Sequence, residues 1–465
     1  MKITNLVLSL ALAGMCLNQA AAQGIPHASS SAARQSIGDS SPASTRPTAF
    51  IQSRSVSDTQ VDTSAALDRS MLAPTAAANY QASHSQSSDN VTYQSGPTYY
   101  DYGSSFCGCG PSNRWLNVES LLWFSKNVSS PALVNTSDFG VEPNTGAAGV
   151  QSVFGGGDGI DFGLLPGFRL SGGMYLGDDQ RVGIGGRGYG IFEANQSYAR
   201  ASDGSGGANN PSIGIPFFNT SQNEEDSFLV AFQDGGGPVK SGVVRTTSDL
   251  DMYGADGSLY LLLARSSGMR MDLLGGYTYN TLRSSIGIES VSDGQRFPFN
   301  GVNTTTNDLF SAENVFNGGH LGVLSSVVKS RVSFSTLAKI AFGNMRQTSS
   351  VRGFSNVRDA LGNESVLGAG ILTQPSNIGV NSRDSFEFIP ELGIKLGFAA
   401  TQNMQFTVGY TMMMWSGVAM AGDQIDTAID PTQLVNPSAG TRPNSLLNEG
   451  TFWMQGVDLG VNFVF

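Results

Sequence analysis

Nine polar residues are spaced so that all could point into one interior: Arg270, Asp272, Lys339, Glu387, Glu391, Lys395, Gln405, Asp458 and Asn462. Each falls on the polar parity of an alternating segment, where side chains two residues apart share a face. Groups of both signs facing one another can do two things. Held apart, they line a wet path and select ions. Brought together, they neutralise one another and block the path, as charges withdrawn from water generally must. At this density of mixed charge, pairing into a plug is the commoner outcome. Small residues on the inward parity, Gly276, Gly343, Gly397, Gly409 and Gly460, argue for an open path instead.

Other chemistry has little footing. Of His27, His84 and His320, only His320 lies in the alternating part of the chain, sharing a face with Asn314 and Gly318. No G-x-S-x-G or H-E-x-x-H run occurs, so no enzyme is expected. Gly422-Asp423-Gln424-Ile425-Asp426, with Asp430 beyond, gathers carboxylates of the kind calcium uses, but its spacing matches no EF-hand loop. Asp also stabilises turns unaided. Gly155 to Gly157 with Asp158 is glycine-rich without a Walker lysine or a GxGxxG. Cys107 and Cys109 read as a local bridge or a linker mark, since two sulfurs without a nearby His make a weak metal site. No cofactor and no metal are expected.

The elements that must position these groups follow from alternation. The last fifteen residues read T-F-W-M-Q-G-V-D-L-G-V-N-F-V-F. Val457, Leu459, Val461, Phe463 and Phe465 form one apolar face, opposite Asp458 and Asn462. Period two with two unlike faces predicts a strand. An apolar strand ending on an aromatic suits closure of a barrel in lipid, and Val461, Phe463 and Phe465 suit recognition by outer-membrane assembly machinery. Upstream, Leu116, Val118, Leu122 and Phe124 oppose Asn117 and Glu119, with Trp115 and Trp123 on the polar parity. Further strands are expected over 167–176, 181–193, 246–264, 269–288, 312–328, 331–348, 385–398 and 404–414.

These make about ten strands of an antiparallel up-and-down transmembrane β-barrel, an all-β fold. Twelve is the alternative, should 128–154 or 228–244 add a hairpin. Connections alternate between a few residues and long loops, the pattern of short periplasmic turns and long extracellular loops. Trp115, Trp123, Trp415 and Trp453 lie near strand ends, where aromatic girdles meet the two interfaces. Ten strands argue for a narrow or plugged interior, because small barrels fill with side chains.

Composition agrees. Charged residues are 14% of the chain and glycine 58 of 465, a low-charge, glycine-rich make-up that suits a lipid-facing wall. A net charge of −11 argues against nucleic acid as a partner. No apolar run after the N-terminus is long enough for a membrane helix. Residues 1–22 read as a secretory signal: Lys2, an apolar core from Leu6 to Leu17, and Ala20-Ala21-Ala22 for cleavage. Residues 23–110 are rich in Ser, Ala, Thr and Gln, too polar to bury a core, and are expected to form a disordered periplasmic tail. The barrel is expected over 111–465.

Several blocks together resemble a known family. They are Leu121-Leu-Trp-Phe124, Val153-Phe-Gly-Gly156, Leu273-Leu-Gly-Gly-Tyr277, Asn314 to Gly322, Gln374 to Gly379, Pro390-Glu-Leu-Gly393 and Ala399 to Asp426. This order resembles the β-barrel porin family of planctomycete bacteria numbered seven, over about residues 115–465. The resemblance implies an outer-membrane barrel and brings no functional residues with it. Val418-Ala419-Met420-Ala421 departs from it by lacking the basic residue expected before Gly422, which weakens any fixed Arg–Asp contact there. The function expected is passive diffusion of ions or small polar solutes. The alternative is a plugged structural or surface-interaction barrel with exposed loops. Outer-membrane lipid and the assembly machinery are the partners expected.

Overall fold

The computed structural model describes residues 113–207, 209–434 and 440–465. The readings made for 1–22, 23–110, Cys107 and Cys109 lie outside these residues. In chain order the strands are β1 (Arg114–Ser125), β2 (Val128–Ser137), β3 (Val150–Ile160), β4 (Leu165–Leu176), β5 (Val182–Ser202) and β6 (Ser212–Asn219). There follow β7 (Glu224–Asp234), β8 (Gly237–Ser266), β9 (Met269–Gly294), β10 (Asn303–Lys329), β11 (Val332–Arg358) and β12 (Glu364–Leu367). The last four are β13 (Gly379–Ala399), β14 (Met404–Val418), β15 (Ala428–Ile429) and β16 (Gly450–Val464), with short 3₁₀ turns at Ala421–Gln424 and Pro431–Leu434.

Ten strands close a ring in the order β1-β4-β5-β8-β9-β10-β11-β13-β14-β16, each antiparallel to its neighbours. The closing strand pairs with the first from Trp115↔Val464 to Ser125↔Met454. Its terminal residue is held as well: the Phe465 amide donates to the Arg114 carbonyl at 3.0 Å. The turn end of the ring is tight. Residues 177–181, 267–268, 330–331 and 400–403 make the connections there, and Gly177, Gly268 and Ser330 adopt positive φ to do so.

The segments that could have raised the strand number to twelve add no strand to the ring: 128–154 forms β2 and the start of β3, and 228–244 divides between β7 and the first residues of β8. β2, β3, β6 and β7 build a second sheet at the loop end, joined to the barrel wall where β7 pairs with the first residues of β8. Strand lengths also exceed the expectation. β8 to β11 run 30, 26, 27 and 27 residues. A tilted span needs only about 9–11 residues, so these strands continue far beyond the lipid.

The faces change character along them. In the turn-end half, outward side chains are apolar and exposed, such as Leu259, Leu261, Leu263, Leu321, Val327 and Leu396. Inward ones are polar and buried, such as Asp272, His320, Ser326 and Lys339. In the loop-end half the order reverses. Val244, Leu250, Leu282, Ile286, Ile288, Phe310 and Phe316 point inward and are buried in one apolar core. Arg245, Arg283, Glu289 and Glu313 lie on the outward parity. The lower half is built for lipid outside, and the upper half for water outside.

Between the halves runs an outward belt of aromatics. Phe168 packs on Phe192, Tyr253 on Tyr279 and Phe386 on Phe388, with ring centroids 6.0, 6.4 and 5.4 Å apart. These residues, rather than Trp123 or Trp415, form the loop-end girdle. Trp123 and Trp415, expected at the interface, are 0% and 1% exposed and lie inside the ring. Trp115 also faces inward, edge-on to Tyr260 at 6.4 Å. Trp453 keeps the outward parity of Val457 and Leu459.

Candidate functional site

The interior of the lipid-facing half holds two charged clusters. In the first, Glu119 of β1 receives Arg169 Nε of β4 at 2.5 Å and is also paired with Lys395 of β13. Arg169 Nη2 reaches Asp458 of β16 at 2.6 Å. In the second, Arg187 of β5 donates through Nη2 to Asp256 at 2.6 Å and to Glu391 at 2.7 Å, and pairs with Glu391 through Nη1 as well. Lys339 of β11 sits 2.9 Å from both Asp256 and Glu391. Four cations and four carboxylates from seven strands therefore neutralise one another across the lumen. Trp123 Nε1 and Thr411 Oγ1 add hydrogen bonds to Asp458. Buried charges satisfied by several partners tolerate desolvation that a lone charge would not.

The glycines that argued for water have another use. A Cβ on Gly460 would lie 2.6 Å from Glu119 Cγ and 2.9 Å from Thr407 Oγ1. One on Gly397 would collide with Ser333 and Gln405, and one on Gly409 would come within 3.4 Å of Asp458. The space over these glycines is filled by the polar side chains of neighbouring strands, so they make room for the network rather than for a channel.

Above the network the lumen is apolar. Tyr189 stacks over Arg187, with the guanidinium carbon 4.9 Å from the ring centroid, and donates to Asn280 Oδ1 at 2.5 Å. Leu121, Trp123, Ala341, Phe316, Met413 and Trp415 fill the next layer. Two loops then enter from the loop end. Asn314 clasps Ala419, donating to its carbonyl and accepting from its amide at 2.8 Å each, and the Ala421 amide donates to Ser284 Oγ. Asp308 accepts the amides of Ile371, Leu372 and Thr373 and the Thr373 hydroxyl, which pins the loop between β12 and β13. Asp308 lies above the lipid band, and burial pushes its carboxyl up to about 6 against the pull of these four donors.

Below the network a cavity of about 240 Å³ opens at the turn end. Its walls differ. Asn117, Gln405, Thr407 and Asn462 form a polar side, and Trp115, Tyr260, Leu274, Leu324 and Leu337 an apolar side.

Of the nine residues first proposed to face the lumen, Lys339, Glu391, Lys395 and Asp458 are in the network. Gln405 and Asn462 line the cavity, and Gln405 donates to Ser333 Oγ. Arg270 and Asp272 pair with each other near the turns at 2.7 Å, under the ring of Tyr175. Glu387 stands apart, toward the loop end, where it accepts from Ser416. Four members of the network were missed: Glu119, Arg169, Arg187 and Asp256. All lie on the inward parity of their strands, which would have found them.

His320 lies between two hydroxyls, Ser258 Oγ at 2.9 Å from Nε2 and Thr278 Oγ1 at 2.8 Å from Nδ1. Among the described residues no carboxylate bonds to its ring. Asp426 accepts the Ala428 and Asn444 amides and pairs with Arg442 at 3.0 Å, so a later loop supplies the cation missing before Gly422. Asp430 bonds Thr432 and Ser221. These carboxylates tie loops together, and no cluster able to hold a metal occurs among the described residues.

The family model described as Putative beta barrel porin-7 matches residues 115–465. The chain belongs to that family. The match starts within β1 and ends on Phe465, so it spans the whole ring. A search of curated proteins finds no match. Among solved structures, the outer membrane protease OmpT from Escherichia coli aligns over 76% of this chain and 97% of its own, at 10% identity and TM-score 0.36. A Pseudomonas aeruginosa FadL homologue aligns over 76% and 90%, at 9% identity and TM-score 0.20. The anion-selective porin from Comamonas acidovorans aligns over 76% and 98%, at 9% identity and TM-score 0.12. At these scores the likenesses carry no argument. What this member of the porin-7 family does must come from its own interior.

Proposed function

We propose that this porin-7 family member is an outer-membrane barrel closed to free diffusion, which serves as a rigid base for the loop-end sheet and its surface contacts. The observation that carries this reading is the stacking of three seals along one lumen: the neutralised eight-charge network, the apolar layer above it, and the two inserted loops. The turn end faces the periplasm and the loop end faces outward. Outer-membrane lipid surrounds the lower half, and the strand ending at Phe465 engages the assembly machinery. His320 acts as a rung in a hydrogen-bond ladder and has no catalytic role.

The test is single-channel recording of purified protein in planar lipid bilayers. The expected result is no stepwise current above a lipid blank. Regular unit steps from the wild-type chain would overturn the reading and restore passive diffusion of ions or small polar solutes, the function that the family's description suggests.

A further inference from the structure

The cavity at the turn end carries a polar wall that the seals above it do not use. Its centre is a row of uncharged amides on neighbouring strands. In register, Asn462 of β16 stands opposite Asn117 of β1 on one side and Gln405 of β14 on the other. Each of them lines the cavity. Asn117 and Thr407 are both 6% exposed, and Asn117 Oδ1 and Thr407 Oγ1 meet no hydrogen-bond partner. Buried polar groups are rarely left so. Trp115, Leu274, Leu324 and Leu337 supply an apolar side. The Trp115 ring is seated against two glycines: a Cβ on Gly173 or Gly185 would come within 3.0 or 3.2 Å of its Cζ2.

We propose that this cavity is a binding site for a neutral pyranose sugar, free or as the end unit of a glycan. The first argument is charge. The cations at the cavity roof, Arg169, Arg187, Lys339 and Lys395, are each already paired with a carboxylate, so the roof has no spare charge to hold an ionic ligand. The second is hydrogen bonding. An amide both donates and accepts, and so does a sugar hydroxyl. A hydroxyl can donate to Asn117 Oδ1, which a carboxylate or phosphate oxygen cannot. The third is spacing. Neighbouring strands lie about 4.8 Å apart, close to the separation of alternate equatorial hydroxyls on a pyranose ring, so amides in one row can meet such hydroxyls together. The fourth is shape. The C–H face of a pyranose is apolar, and the Trp115 indole offers it a flat apolar surface. A cavity of about 240 Å³ holds one such ring. This inference goes beyond the closed-barrel reading, and its test does not depend on conductance.

The experiment is saturation-transfer NMR on the full chain in lipid nanodiscs. The probes are glucose, galactose, mannose and N-acetylglucosamine, with glucuronate and glucosamine as charged analogues. At least one neutral sugar should bind saturably, with a Kd on the order of millimolar, as suits a ligand of one ring. The charged analogues should bind about tenfold more weakly or worse, because an unpaired charge resists burial. Asn117→Leu is the deciding variant. It removes an unpaired buried amide, so the barrel should keep or exceed wild-type stability in urea. Sugar affinity should nevertheless fall by about tenfold, the loss of one or two hydrogen bonds. Asn462→Leu, in the same row, should weaken binding likewise. A disaccharide of the bound sugar separates the two sources: tighter binding than the monosaccharide marks a glycan end, and equal or weaker binding a free sugar. A cavity that holds only water would give no saturable binding of any neutral sugar at about 50 mM, and that result would overturn the proposal. So would sugar binding that survives Asn117→Leu in a folded barrel, or charged analogues that bind as well as the neutral sugars.

Discussion

Substituting Glu391 by Gln tests whether the interior charges act as one neutral unit. Glu391 is 1% exposed and meets both Arg187 and Lys339. Gln keeps its shape and removes its charge, leaving two buried cations to share Asp256. Breaking a buried ion pair from one side costs about 3–5 kcal/mol, and that is the loss expected for the single variant. Adding Lys339→Met removes one of the two cations. The remaining Arg187–Asp256 contact, at 2.6 Å, is again neutral. The double variant should therefore be more stable than Glu391→Gln alone. Reversible urea unfolding in lipid vesicles, followed by tryptophan fluorescence, gives each free energy, and Trp123 reports from beside the network through its bond to Asp458. A single variant within about 0.5 kcal/mol of wild type would refute the network as a structural unit. So would a double variant whose cost is the plain sum of its parts to within about 0.5 kcal/mol.

Asp308→Ala should release the loop it pins, because it orphans three amides and a hydroxyl. A buried donor left unsatisfied costs about 1–3 kcal/mol, enough to raise amide exchange at Ile371, Leu372 and Thr373 about tenfold or more. Wild type should also show pH dependence there. The docked carboxyl, pushed up to about 6, lies above the free value of about 3.9. Docking should therefore be strongest below pH about 4 and should weaken as pH rises through 6. Protection of the three amides, corrected for intrinsic exchange, that holds level from pH 4 to 7 would contradict this. Phe465→Ser should leave the purified barrel folded yet lower the amount assembled in the outer membrane several-fold, read as the heat-modifiable band on gels. Undiminished assembly would remove the terminal aromatic from the recognition signal.

The ring was legible because the lipid-crossing segments alternate, with apolar residues outward and most polar and small residues inward, over the length of a span. The same parity placed Asp458, Glu391, Lys395 and Lys339 inside, and it would have placed Trp123 and Trp415 there too. Trp123 shares its parity with Asn117 and Glu119, and proximity to a strand end was the weaker guide. What stayed hidden was the upper half. There Phe310, Phe316, Ile286 and Ile288 lie on the face that lower down carries polar groups, so a rule calibrated on lipid loses the strand when the surroundings become water. Pairing was hidden as well. Parity says that Arg187 points inward, but only the ring order brings it beside both Asp256 and Glu391. Loop docking depends on such long-range contacts, as between Asn314 and Ala419 or Asp308 and Thr373, and no local spacing encodes them.

The reversal of faces along β8 to β11 also governs alignment. If one of these strands slid past its neighbour by a single residue, every side chain would change sides. In the lower half that would drive Asp272 or Lys339 into hydrocarbon and pull leucines inward. In the upper half the same slip would put Phe310 and Ile286 into water and fold Glu289 and Glu313 into the apolar core. Two opposite solvents would thus reject the same error at once. A strand that crosses both is held in place more firmly than its hydrogen-bond ladder alone could hold it, because a sliding ladder can re-form its bonds while the two environments cannot be exchanged.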